Sequence, residues 1–226
     1  MITHDAIFFG AIGTVADTSD MQRRAFNAAF AQAGLDWEWS AQDYAGMLAT
    51  VGGVNRIEAH AARTGTDVDA KALHAAKSRI YQQMLAARGV PLRPGVATLC
   101  ESARAAGQRL GWITTTSRAN VDAILDAVDG LDAGTFDLIT DRSMVRAPKP
   151  DPEVYTLALQ RLGLAAADVL VIEDTPESAQ AAASAGLQVV AFEGAAPPDS
   201  AWPEGCTHVS DLSELLGGSA VNVAAE

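Results

Sequence analysis

The feature that most constrains this chain is the alternation of helical patterns with short apolar runs from residue 91 onward. Val96 to Ala106, Asn120 to Val128, Asp151 to Leu162 and Pro176 to Ala185 have helical periodicity. Between and after them, Arg109 to Thr114, Phe136 to Thr140, Val169 to Ile172 and Gln188 to Phe192 read as strands. Strands that are apolar without alternation are buried on both faces, and strand–helix alternation packs them as a parallel sheet flanked by helices. The expected class is therefore α/β, a doubly wound parallel sheet with ligands at the carboxyl ends of its strands. Pro152 in a first helical turn and Gly186 just past a last one fit those boundaries.

The amino-terminal part begins with another buried strand, Ala6 to Phe9, followed by the punctuation Gly13-Thr14. From Asp17 to about Arg88 the pattern is helical throughout. Ala25, Phe26, Ala29, Phe30 and Ala33 recur at three-four spacing ahead of Gly34, and a second helix starts at Ser40 before Tyr44, Met47 and Leu48. Gly52-Gly53 breaks the chain before a run from Asn55 to Ala62. A long helix follows from Asp69 to Ala87, with Leu73, Ala76, Ile80, Met84 and Ala87 expected along its apolar face. Because this block interrupts the sheet after its first strand, it reads as an inserted α-helical cap domain of residues 17–88, leaving 1–16 and 89–226 as the core domain. The tail 217–226 is small and polar and is expected to fray.

Charge follows the same division. The formal net charge is −12, yet residues 17–88 carry eight basic and eight acidic side chains, so the rest of the chain holds the whole excess. That balance argues against nucleic acid or an anionic membrane surface as partner. No apolar run approaches the roughly 18 to 20 residues of a membrane span, and no signal peptide is visible at Met1-Ile2-Thr3-His4-Asp5. Cys100 and Cys206 offer neither metal-ligand spacing nor a disulfide framework, so a cytoplasmic location is expected.

Four strand ends carry candidate chemistry. After the second strand, Thr114-Thr115-Thr116-Ser117 presents hydroxyls and backbone N–H groups before a helix start, suited to an anion or to ordinary N-capping by Ser117. Lys149 lies in Ala147-Pro148-Lys149-Pro150-Asp151-Pro152, a stiff loop that fixes a side chain which would by default be solvated. Glu173-Asp174 directly follows the apolar strand Val169 to Ile172, where two acids are costly unless a cation or hydrogen bonds satisfy them; Asp174 or Thr175 could alternatively cap the next helix. Hydroxyl, lysine and acid pair on successive strand ends form a phosphate-plus-metal constellation. At the first strand, Phe9-Gly10-Ala11-Ile12-Gly13-Thr14 offers no carboxylate.

With these residues the chain resembles the haloacid dehalogenase (HAD) superfamily with a helical cap inserted after the first strand, over nearly its whole length. Thr114 matches the second motif's hydroxyl, Lys149 the third motif's lysine, and Glu173 with Asp174 the fourth motif's acids. Arg24-Ala25-Phe26-Asn27, Gly34 to Ser40, Tyr44, Gly52-Gly53 and Thr114 to Asp122 are similar to the CbbY and β-phosphoglucomutase branch. The resemblance implies a HAD-like Rossmannoid core, phosphatase activity on phosphosugars such as xylulose 1,5-bisphosphate, and Mg²⁺. It implies phosphate contacts from Thr114, Thr115 and Lys149, metal contacts from Asp174, Glu173 and the Ile12 backbone carbonyl, and substrate-facing cap positions at Tyr44, Gly53 and Arg56. The family's first motif, Asp-x-Asp-Gly-Thr, supplies a nucleophile and an acid/base. Here Gly10 and Ile12 occupy those positions, so no catalytic carboxylate is intact. Ser19, Gln22 and Val54 likewise stand where the branch places acidic, imidazole and lysine groups.

With two carboxylates gone, Lys149 and the remaining acid pair carry the formal charge of an intact site already holding its divalent cation. Mg²⁺ is therefore expected to bind weakly or not at all, with Lys149 paired to Asp174 or Glu173. The expected function is a HAD-like protein without phosphatase turnover that binds a small phosphorylated metabolite. One alternative is a hydrolase using other groups, which would need a nucleophile near Gly10, and the sequence shows none. The other is a regulatory interaction protein with an unknown protein partner, in which Thr114 and Lys149 would tolerate mutation.

Overall fold

In a computed structural model, residues 2–10, 12–48, 52–194 and 201–216 are described. The tail read from Gly217 lies outside them. Six strands form one parallel sheet in the order β3-β2-β1-β4-β5-β6. They are β1 (Ala6–Phe9), β2 (Arg109–Trp112), β3 (Leu138–Ile139), β4 (Val169–Glu173), β5 (Gln188–Phe192) and β6 (Thr207–Val209). Period-two alternation splits β1 between the two faces. Ile7 and Phe9 join Leu110, Trp112, Leu170 and Ile172 on one side, while Ala6 and Phe8 join Val169, Val171 and Tyr155 on the other.

Between β1 and β2 run the one-turn α1 (Ile12–Val15) and the helices α2 (Ser19–Gln32), α3 (Ala41–Met47), α4 (Gly53–Thr64) and α5 (Ala70–Arg88). The core helices are α6 (Val96–Ala105), α7 (Arg118–Leu125), α8 (Glu153–Leu162) and α9 (Pro176–Ser184). Local chemistry sets the starts. Ser40 and Asp43 form a capping box on α3, and Asp69 accepts from Ala72 N–H at the head of α5. An aromatic cluster of Phe26, Phe30, Trp37, Trp39 and Tyr44 gives the α2–α4 region an apolar interior of its own.

Three expectations change. The buried stripe of α5 is Leu73, Lys77, Tyr81 and Leu85, while Ile80 and Met84 are half-buried and Ala87 is exposed. An i, i+4 row through Lys77 is invisible to a reading that scores lysine as polar, although its stem packs like an apolar chain. Ile80, Met84 and Ala87 instead line a cleft of about 560 Å³ with Met21. The short α1 and the three-residue β6 were not anticipated, because neither has enough residues to show a period.

Candidate active site

The chain runs from β1 outward to β2 and β3, then returns to place β4 on the other side of β1. Strand order therefore reverses between β1 and β4, and the crevice at their carboxyl ends is where a doubly wound sheet holds ligands. Gly10 N–H donates to Ile172 O at 2.9 Å, which sets residue 10 directly against the end of β4.

The next residue of β4 fills that place. A Cβ on Gly10 would lie 2.0 Å from Glu173 Cδ and within 2.3 Å of both carboxylate oxygens. The Glu173 carboxyl thus occupies the volume that any side chain at position 10 would need. It is fully buried, and Lys149 Nζ donates to its Oε1 at 2.6 Å. The other two N–H groups of Lys149 go to Ile113 O at 2.8 Å and Tyr155 Oη at 3.0 Å. The Tyr155 hydroxyl in turn donates to Glu173 Oε1. Burial first, then the Glu173 charge, pushes the Tyr155 phenol well above its ordinary value, so it stays a proton donor.

Asp174 is placed by a second glycine. A Cβ on Gly13 would meet Asp174 Oδ2 at 1.9 Å, and Thr14 Oγ1 donates to Asp174 Oδ1 at 3.3 Å. Burial of the carboxyl and the neighbouring Glu173 charge raise its pKa to about 6, opposed by Arg93. Arg93 ties the segment after α5 to the site: it donates to Gly13 O at 2.9 Å and Phe192 O at 3.1 Å and stacks on the Phe192 ring. The side chain of Ile12 packs against the main apolar cluster, and its carbonyl accepts from Ala16 N–H at 3.1 Å.

Mg²⁺ requires near-octahedral oxygen ligation, and this donor set fits it poorly. Of two carboxylates, Glu173 is held by Lys149 and Tyr155, which leaves Asp174 and the second lone pair of the Ile12 carbonyl, fewer oxygens than the family's site offers. Among the described residues there is no group of three or more His, Cys, Asp or Glu arranged to hold a metal ion.

Thr114 is buried at the end of β2; its Oγ1 accepts from Thr116 N–H at 3.2 Å, with Thr115 half-buried beside it. Ser117 does serve as the N-cap of α7. The hydroxyl run is also wired to the cap: Gln82 Nε2 of α5 donates to Asn120 Oδ1 at 2.8 Å, and Asn120 Nδ2 donates to Thr116 Oγ1 at 3.3 Å.

A second cluster gathers the expected cap positions around two groups that sequence reading missed, His74 and Lys77. Gly53 opens α4 against His74, where a Cβ would meet the ring at 2.4 Å. Arg56 lies 5.7 Å from the Tyr44 ring centre, and Tyr44 Oη is buried without a hydrogen-bond partner among the described residues. Gln22 accepts from Lys77 Nζ at 2.9 Å and donates to Thr18, while Val54 packs into the aromatic cluster and Ser19 N–H donates to Asp17. Lys77 sits 4.7 Å and 4.9 Å from the Phe26 and Tyr81 ring centres. Among the described residues its charge meets an amide and two ring faces rather than a carboxylate. Burial, then Arg56, lowers its pKa to about 7; burial, then Lys77 and Arg56, lowers that of His74 to about 4.

Comparison with known proteins identifies the family and the fold. The haloacid dehalogenase-like hydrolase family matches residues 4–186. Protein CbbY of Rhodobacter capsulatus is 43% identical over 189 residues, covering 82% of this chain and 83% of the relative. The plasmid-encoded CbbY of Cupriavidus necator is 42% identical over 196 residues, covering 82% and 76%. A crystal structure of a CbbY variant from Rhodobacter sphaeroides in complex with xylulose 1,5-bisphosphate superposes with a TM-score of 0.86 at 34% identity, covering 94% of this chain and 96% of that one. The crystal structure of the same protein with phosphate superposes equally well. β-Phosphoglucomutase of Clostridium difficile, at 15% identity and a TM-score of 0.76, shares the fold. The chain belongs to the haloacid dehalogenase-like hydrolase family, in its CbbY-like branch.

Proposed function

We propose that this chain binds a phosphosugar between the cap helices and the carboxyl edge of the sheet and does not turn it over through an aspartyl-phosphate. The observation that carries this reading is the Glu173 carboxyl standing in the side-chain volume of residue 10. A covalent route needs a free carboxylate there; position 10 supplies none, and the Glu173 carboxylate in that space is tied to Lys149 and Tyr155. The ligand class follows from the likeness to CbbY, whose solved structures hold xylulose 1,5-bisphosphate and phosphate.

The cap supplies the affinity in this reading. Lys77 is buried at a cost that an anionic ligand group nearby would offset, and the Tyr44 hydroxyl has hydrogen-bonding capacity to offer. Mg²⁺ contributes weakly in this reading, because position 10 supplies no carboxylate and Glu173 is taken by Lys149 and Tyr155.

A thermal-shift screen of phosphosugars tests the proposal. Saturable stabilisation is expected, growing with ligand concentration as mass action requires, unaffected by Mg²⁺ and lost in Lys77→Met. No stabilisation by any phosphosugar, or sub-millimolar Mg²⁺ binding in calorimetry, would oppose it.

A further inference from the structure

We propose that Glu173 is the pocket's own anion: its carboxylate occupies the seat at Lys149 that a ligand phosphate would need, so the core lysine is closed to exogenous anions until Glu173 withdraws. The proposal rests on the reading of this crevice as a phosphate-class site.

Three observations converge on it. First, the Glu173 carboxyl group lies in the space of a position-10 side chain, with Cδ 2.0 Å and Oε2 2.2 Å from a Cβ built on Gly10. The space of a side chain at position 10 is taken by the carboxyl of a neighbouring acid. Second, the contacts around that carboxylate are those an anion receptor offers, an ammonium at 2.6 Å and a phenol O–H on the same oxygen. Third, Lys149 has no N–H to spare, because Ile113 O, Tyr155 Oη and Glu173 Oε1 take all three. A phosphate arriving at this lysine would meet a resident carboxylate at close range, and like charges oppose that approach.

The device depends on glycine at position 10. A side chain at position 10 would have to displace the Glu173 carboxyl, so the residue that removes the nucleophile is also the one that lets the acid close the seat. Phosphate-bearing ligands are then directed to the cap cluster around Lys77, and Lys149 serves the fold.

The test is an orthophosphate titration, followed by thermal unfolding and ³¹P NMR line broadening, of wild type, Glu173→Ala, Glu173→Gln, Lys149→Met and the double variant Lys149→Met with Glu173→Ala. Glu173→Ala is expected to bind orthophosphate about tenfold more tightly than wild type, or better, with the gain lost in the double variant. Glu173→Gln keeps the shape of the side chain and should show a smaller gain in the same direction, which covers the case in which the alanine variant does not fold. Wild-type binding as tight as that of the Glu173 variants and abolished in Lys149→Met would overturn the proposal. So would folded Glu173 variants that gain no affinity. Failure of phosphosugars to stabilise wild type would undo the functional reading instead and leave this result standing.

Discussion

Glu173→Ala is expected to destabilise the protein by about 3–5 kcal/mol, the cost of leaving one member of a buried ion pair without its partner. For a chain of this size that is a fall in Tm of roughly 6 to 20 °C. The cost comes from burial. Lys149 and Glu173 are 3% and 0% exposed, so water entering the vacated space solvates Nζ less well than the lost counterion did. The ammonium keeps Ile113 O and Tyr155 Oη but loses its counterion, and the Tyr155 hydroxyl loses its acceptor. An exposed pair gives the control: Arg118→Ala, which removes the Arg118–Asp122 contact at 2.9 Å, should cost less than about 1 kcal/mol. Equal losses for the two variants in urea unfolding would show that the Lys149–Glu173 pair is not the buried keystone of this edge.

Lys77→Met acts in the opposite direction. Burial lowers the Lys77 pKa from 10.5 to about 7, so the unfolded chain holds a proton that the folded chain has released throughout that window. Stability therefore rises with pH from about 7 toward 10.5, with a slope approaching about 1.4 kcal/mol per pH unit. Below pH 7 both states are protonated and the full cost of the buried charge is present. Methionine keeps the packing between Phe26 and Tyr81 and removes the charge. Lys77→Met is expected to be about 1–4 kcal/mol more stable than wild type near pH 6, with the advantage shrinking between about pH 7.5 and 9.5. His74 adds a difference of its own below about pH 6.5, because Lys77 helps to lower its pKa from 6.5 to about 4; above that pH the comparison reports on Lys77 alone. A difference between the two proteins that is flat with pH would mean that Lys77 is better solvated, or better paired, than its surroundings indicate. In the proposed reading an anionic ligand offsets that cost and holds Lys77 protonated, which links this measurement to ligand binding.

Much of this architecture was legible in the residues. β1, β4 and β5 are continuous apolar runs bounded by punctuation, and their placement follows from burial on both faces. The capping chemistry at Ser40, Asp69 and Ser117 fixed helix starts for the same local reason. Lys149 could be recognised as a held side chain because prolines flank it, and its partner lies among the acids at the end of β4.

What could not be read depends on three-dimensional neighbours. Gly10 is a missing carboxylate in one dimension; that Glu173 enters the space depends on the pairing of β1 with β4 and on a side-chain torsion, neither encoded nearby. Lys77 went unnoticed because a polar residue in the middle of an apolar stripe looks like a break in the pattern. The stripe Leu73, Lys77, Tyr81 and Leu85 emerges only when the lysine is counted with its neighbours. β6 and α1 are too short for periodicity to register.

With Glu173 in the space of the first-motif side chain, position 10 is expected to support no aspartyl-phosphate chemistry. Orthophosphate release from a sugar bisphosphate in the presence of Mg²⁺, measured on protein free of contaminating phosphatase, tests it most directly. Release indistinguishable from the buffer blank is expected. Saturable release that disappears in Glu173→Gln would contradict it.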